Sequence, residues 1–115
     1  MIEGLAAIAV DCDGDPVALA EWWRGLVGGE VAVDEDVDAT LRAPGFPPLD
    51  FVRVPEGKAV KNRLHLDLRA TDYAAAVAAA LAHGAVPAPD VYGGDRWTVL
   101  RDPGGNEFCI LRPRP

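Results

Sequence analysis

The sequence predicts an α+β protein in which one supersecondary unit, βαβββ, is written twice. Three observations predict it. The chain has 115 residues, which suits one domain rather than two. Half of those residues are hydrophobic, enough for an ordinary core. Apolar periodicities run strand, helix and three strands over residues 5–54, then repeat in that order over 63–112, with a polar connector between.

In the first half, the apolar run from Leu5 to Val10 has the length of a buried strand and is closed by Asp13, Gly14, Asp15 and Pro16. Asp15 as N-cap, with Pro16 at the first helical position, opens a helix. Leu19, Trp22, Trp23, Leu26 and Val27 recur along it at helical spacing until Gly28 and Gly29 stop it near Val27. Trp22 and Trp23 are adjacent, so they point about 100° apart on a helix and only one can sit fully in the core. Three short strands are expected at Glu30 to Val33, Ala39 to Ala43 and Leu49 to Val54, separated by acidic or Pro/Gly turns. Pro55 to Lys61 has no apolar period and reads as an exposed connector.

In the second half, Leu64, Leu66 and Leu68 alternate with Arg63, His65, Asp67 and Arg69, a period of two that marks a strand with one polar face. Thr71 or Asp72 caps an Ala-rich helix over Tyr73 to Ala82, with Val77 and Leu81 on its packed side and Gly84 ending it. Strands follow at Ala85 to Ala88, Arg96 to Arg101 and Glu107 to Leu111, the last two joined by the turn Asp102-Pro103-Gly104-Gly105-Asn106. The halves also answer each other in residues. Gly29-Glu30-Val31 matches Gly84-Ala85-Val86, and Asp50-Phe51-Val52 matches Glu107-Phe108-Cys109.

A formal net charge of -7 argues against the clustered basic face that a nucleic acid or an anionic membrane would require. No apolar stretch approaches the roughly 18 residues needed to span a bilayer, and the N-terminus lacks a basic leader, so the expected location is the cytoplasm. Cys12 and Cys109 are too few for a disulfide framework and are expected as buried thiols.

The stretch Lys61-Asn62-Arg63-Leu64-His65-Leu66-Asp67-Leu68, with Arg96 to Leu100 and Asp102-Pro103-Gly104-Gly105-Asn106-Glu107-Phe108-Cys109, resembles the glyoxalase-like branch of the vicinal oxygen chelate superfamily. The resemblance implies a single domain of paired modules whose curved mixed sheets enclose a cavity, commonly assembled as a homodimer. It leaves the reaction open, because the superfamily includes isomerases, lyases, dioxygenases, thiol transferases and proteins that only sequester drugs.

The resemblance also implies a metal-ligand pattern, with His or Glu donors in the first and last strand of each half. Here His65 matches the first-strand position of the second half, while Cys109 stands where a glutamate is expected three residues after Asn106. The first-half counterparts are Ala7 or Ala9 and Val52, and Asp11 supplies a donor only if the first strand is shifted. The expectation is therefore an incomplete metal site and no cofactor. His65 and Asp67 are the candidate catalytic pair, Asp67 holding the imidazole as a general base, unless the same ladder is simply solvated charge. Trp22, Phe51, Trp97, Cys109 and Glu107 are candidate ligand-binding residues. Arg63 and Arg69 are expected in solvent, and His83 at a helix end. Cys109 reads as a small buried hydrophobe unless Arg53 or His65 activates it.

The resulting functional expectation is binding of a small organic molecule in the cavity between the modules, with sequestration or resistance as its role. The alternative is a lyase or isomerase of the glyoxalase type that works through His65 and Asp67. A third reading is an interaction domain whose sheet serves oligomerisation only.

Overall fold

The computed structural model describes residues 1–91 and 94–115. It divides into two modules, Met1–Gly57 and Lys58–Pro115, each with the order β, α, β, β, β.

The first module comprises β1 (Ile8–Cys12), α1 (Pro16–Val27), β2 (Glu30–Val33), β3 (Ala39–Arg42) and β4 (Leu49–Arg53). Its sheet has the order β1-β4-β3-β2, in which β1 runs parallel to β4 and the other neighbours are antiparallel. Helix α1 starts where the sequence places it. The Asp15 side chain accepts from the Val17 N–H at 3.0 Å, which satisfies one of the first-turn donors, and Pro16 needs no such partner. The helix lies against β2, β3 and β4 and buries Leu19, Ala20 and Trp23. Ala39, Leu41, Leu49 and Phe51 are buried in the same module. Ala39 pairs with Phe51 and Leu41 with Leu49, so these four share one face of the sheet. Gly29 permits the close return of the chain after α1. Its φ is +94°, and a Cβ there would fall 2.2 Å from the Arg42 carbonyl oxygen.

The second module comprises β5 (Leu66–Arg69), α2 (Tyr73–Ala82), β6 (Val86–Pro87), β7 (Trp97–Arg101) and β8 (Glu107–Leu111). Its sheet repeats the topology as β5-β8-β7-β6, with β5 parallel to β8. Phe108, Ile110 and Leu100 are buried, and α2 contacts β8. Asp72 is the N-cap of α2, its carboxylate accepting from the Ala75 N–H. The turn after β7 is organised by Asp102, which is buried. Its Oδ1 accepts from the Gly104 and Asn106 N–H groups at 2.9 and 2.8 Å.

Four expectations need correction. The first strand begins at Ile8 rather than Leu5, which is 71% exposed. Parallel pairing with β4 sets Ile8, Val10 and Cys12 opposite Leu49, Phe51 and Arg53, so β1 has one buried face and alternates, unlike the continuous apolar run just before it. The strand of the second half begins at Leu66 rather than Arg63, because its ladder with β8 starts at Leu66 opposite Phe108 and Leu64 is left exposed. On α2, Ala80 rather than Leu81 is the buried contact, Leu81 being 41% exposed. A methyl side chain lets this Ala-rich helix approach its sheet closely, and β6 is two residues long, Val86–Pro87, with the Ala88 N–H just beyond it donating to the Val99 carbonyl at 3.2 Å.

Register also aligns the internal repeat residue by residue. Val10 pairs with Phe51 as Leu66 pairs with Phe108. On that alignment Asp11 answers Asp67, Ala9 answers His65, Asp50 answers Glu107 and Val52 answers Cys109. The match of Asp50-Phe51-Val52 to Glu107-Phe108-Cys109 therefore holds in space. The match of Gly29 to Gly84 slips by one residue. Ala32 lies opposite Thr40 as Val86 lies opposite Arg101, which aligns Gly84 with Glu30.

Candidate functional site

In the second module, the parallel ladder places Asp67 directly opposite Cys109. His65 lies two residues before Asp67, so both side chains leave the same face of the chain. The imidazole Nδ1 is hydrogen-bonded to Asp67 Oδ1 at 3.0 Å, which fixes the orientation of the ring. One ligating atom from each of His65, Asp67 and Cys109 lies within 4.8 Å of the others. The three differ in depth. Cys109 is 2% exposed, whereas the side chains of His65 and Asp67 are 25% and 48% exposed. Around the thiol, Cys109 clusters with Ala88 and Val99, and Val91, Trp97 and Leu111 pack against them.

The predicted catalytic pair, His65 and Asp67, is thus joined by a hydrogen bond, and two predicted ligand-binding residues, Cys109 and Trp97, belong to the same region. Trp97 is half-buried in β7, and its indole covers Gly94, where a Cβ would fall 2.4 Å from the ring. Trp22 is half-buried on α1 of the first module and meets Trp23 edge to face, ring centroids 5.3 Å apart. Trp23 is the core member of that pair at 3% exposure. Arg63 and Arg69 are exposed, and His83 is the C-cap of α2.

Two more of the predicted ligand-binding residues, Phe51 and Glu107, are buried. Phe51 has 0% exposure. Glu107 is buried, and its carboxylate is already engaged. Oε2 accepts from Lys58 Nζ at 2.8 Å and Arg101 Nε at 3.3 Å, and Oε1 accepts from the Asn62 N–H at 2.9 Å. Burial is the largest single influence on this carboxyl and opposes its ionisation. The bonds from Lys58 and Asn62 together outweigh it and hold the pKa at about 2. Arg101 in turn grips Asp90 with both terminal nitrogens, at 2.9 and 2.8 Å. Sequence reading missed this Lys58–Glu107–Arg101–Asp90 network. Its one visible signal is a charged residue, Glu107, at the start of an otherwise apolar strand.

The first module carries a weaker version of the same cross-strand pair. Thr40 donates to Asp50 at 2.7 Å, at the register position that Arg101 and Glu107 occupy in the second. Cys12 is a buried thiol whose pKa is raised, first by burial and then by neighbouring Asp13 and Asp38, so it is held as a thiol.

The superfamily's metal pattern does not fit these residues. Ala9 and Val52, the register equivalents of His65 and Cys109, carry no donor atom. The shifted first strand brings Asp11 to the position of Asp67, not to that of His65. Among the described residues, the donors brought together are one imidazole, one carboxylate and one thiol, all in the second module.

A family model described as a glyoxalase-like domain matches residues 7–111. No curated protein sequence matches the chain. Solved structures match closely in fold. A glyoxalase/bleomycin resistance protein/dioxygenase family enzyme from Burkholderia phytofirmans PsJN superposes with a TM-score of 0.73 at 18% identity, over 95% of this chain and 98% of that one. The antibiotic binding protein TnmS3 from Streptomyces sp. CB03234 superposes at 0.66 with 21% identity, over 98% of each chain. The fosfomycin resistance protein FosX from Mesorhizobium loti superposes at 0.72 with 14% identity, over 96% of this chain and 92% of that one.

Proposed function

This chain belongs to the glyoxalase-like domain family, and from that premise we propose that it binds a small organic molecule at the His65, Asp67 and Trp97 region of its second module. The single observation that carries the reading is the oriented imidazole. His65 is held by Asp67 at 3.0 Å, is only partly exposed, and immediately precedes β5 in the sheet that carries a half-buried indole. A few fixed polar groups beside apolar and aromatic surface are what a small-molecule site needs to orient its ligand. Similarity in fold to an antibiotic binding protein and to a fosfomycin resistance protein supports sequestration of a toxic compound as the role. The four-donor metal chemistry of the superfamily forms no part of this reading, because the register equivalents Ala9 and Val52 supply no ligand.

Thermal-shift screening of the full chain against antibiotics and polar metabolites tests it. A ligand that raises the melting temperature, and that binds His65→Ala at least about 10-fold more weakly, is the expected result. A screen in which nothing raises the melting temperature, or a hit that binds His65→Ala unchanged, removes the proposal.

The His65–Asp67 hydrogen bond also favours a second reading, a lyase or isomerase in which His65 moves a proton and Asp67 orients it. Once a ligand is found, its turnover by the native chain and loss of that turnover in His65→Ala would select this reading. Binding without conversion would select sequestration.

A further inference from the structure

We infer that Arg69, Arg96 and Arg112 form a binding site for the phosphoryl dianion of a small soluble molecule, at the end of the second sheet where β5 and β8 finish and β7 begins. The inference does not rest on the organic ligand proposed above.

Topology gathers the three residues. β5 ends at Arg69, opposite Leu111, the last residue of the parallel strand β8. β7 runs the other way and starts at Trp97, opposite the same Leu111. Arg112 therefore follows β8 at the point where Arg96 leads into β7, and the Arg112 N–H donates to the Arg96 carbonyl at 3.0 Å. Arg69 reaches the same place, its Nη1 donating to the Arg112 carbonyl at 2.7 Å.

The Arg112 side chain is held in advance of any ligand. Its guanidinium lies 4.1 Å over the centre of the Tyr73 ring, and its Nε donates to the Asp95 carbonyl at 2.7 Å. Tyr73 is anchored in turn by a hydrogen bond between its hydroxyl and that of Thr98. Thr98 leaves β7 on the face opposite to its neighbour Val99, which clusters with Cys109. The Arg112 guanidinium thus belongs to the other side of the sheet from the thiol. With Nε committed, its two terminal nitrogens form a planar fork that matches a pair of phosphoryl oxygens. Among the described residues, no carboxylate forms an ion pair with Arg69, Arg96 or Arg112, whereas Arg24, Lys58 and Arg101 each have one. Asp95 contributes its carbonyl, and Asp72, beside Tyr73, is engaged as the N-cap of α2. All three arginines are exposed.

Charge selects the ligand. Like charges held side by side at a sheet end repel one another, and a dianion offsets that repulsion more fully than a single carboxylate does. The second module carries eight of the 11 Lys and Arg residues but only six of the 18 Asp and Glu residues, so the excess negative charge lies in the first. A small ion responds to the local cluster, because exposed charges beyond roughly 8–10 Å are screened. A membrane or a nucleic acid extends further and meets the net charge of -7.

Titration of the full chain with inorganic phosphate, followed through backbone amide NMR shifts, tests the site. The expected result is saturable shifts centred on Arg69, Tyr73, Arg96 and Arg112, with acetate bound at least about 10-fold more weakly. Arg112→Ala and Arg96→Ala should each weaken phosphate at least about 10-fold, while Arg24→Ala on α1 should bind it as the native chain does. No printed hydrogen bond involves the Arg96 side chain, so Arg96→Ala remains decisive if Arg112→Ala fails to fold. Shifts that do not saturate or that centre elsewhere, acetate bound as tightly as phosphate, or unchanged affinity in Arg96→Ala would each overturn the inference. Retention of the chain by vesicles containing phosphatidic acid would overturn its assignment to a soluble ligand.

Discussion

Glu107 brings a carboxylate into the interior of its module because three donors meet it there: Lys58, Arg101 and the Asn62 backbone. Its pKa falls from the ordinary 4.5 to about 2 on folding. The unfolded chain therefore binds the proton more readily, and ionised Glu107 stabilises the fold in full above about pH 4.5. That contribution drains away as the pH drops from there through 2. A depression of this size corresponds to about 3 kcal/mol. Glu107→Gln should lower the unfolding free energy at pH 7 by about that amount, measured by urea denaturation. The gap between native protein and variant should close as the pH approaches 2, and a gap that stays constant across that range would contradict the account. Gly94 makes a separate prediction. A methyl group there meets the Trp97 ring at 2.4 Å, so Gly94→Ala should shift tryptophan fluorescence and cost about 1–3 kcal/mol.

Elements were legible wherever a cap and a period agree. Helix α1 combines an Asp15 cap, Pro16 and a 3.6-residue apolar stripe, and its observed bounds, Pro16–Val27, are those the sequence indicates. β8 is bracketed by a Gly-rich turn and is likewise found where expected, at Glu107–Leu111. The starts of β1 and β5 were not legible, because Leu5 and Leu64 continue an apolar pattern after the partner strand has run out. Hydrogen-bonding partners, not hydrophobicity, decide where a strand begins, and β4 and β8 are remote in sequence. The packing faces allow a contrast between residues of similar chemistry. Phe51→Ala empties a fully buried position and should cost about 3–5 kcal/mol, whereas Leu81→Ala on the exposed side of α2 should cost under about 1 kcal/mol. Chemical denaturation of the two variants checks both.

At the scale of the whole molecule, the duplication was legible from element order, and strand register aligns it residue by residue. The site was only half legible. Spacing along the chain joins His65 to Asp67, whereas Cys109 was brought beside them only by the family resemblance, since that neighbourhood arises from a parallel pairing across α2, β6 and β7. Nor did the sequence show that Glu107 is used up by an ion network, because Lys58 and Arg101 lie in a connector and another strand. Among the described residues, no helix is long and apolar enough to cross a membrane. The acidic balance of the chain, -7 in formal charge, makes a further prediction: it should pass through a heparin column unretained at physiological ionic strength. Retention would point to a basic patch that the composition argues against.

The parallel pairing also has a kinetic consequence. β7 and β8 are joined by a short turn that Asp102 braces from within, so their hairpin closes a small loop. Uniting β5 with β8 requires the chain from Leu66 to Phe108 to come full circle, and such a closure is slower and more costly in entropy. Refolding should therefore assemble the hairpin early and zip β5 in last. The thiol of Cys109 reaches the imidazole and carboxylate of β5's leading end only at that closing step.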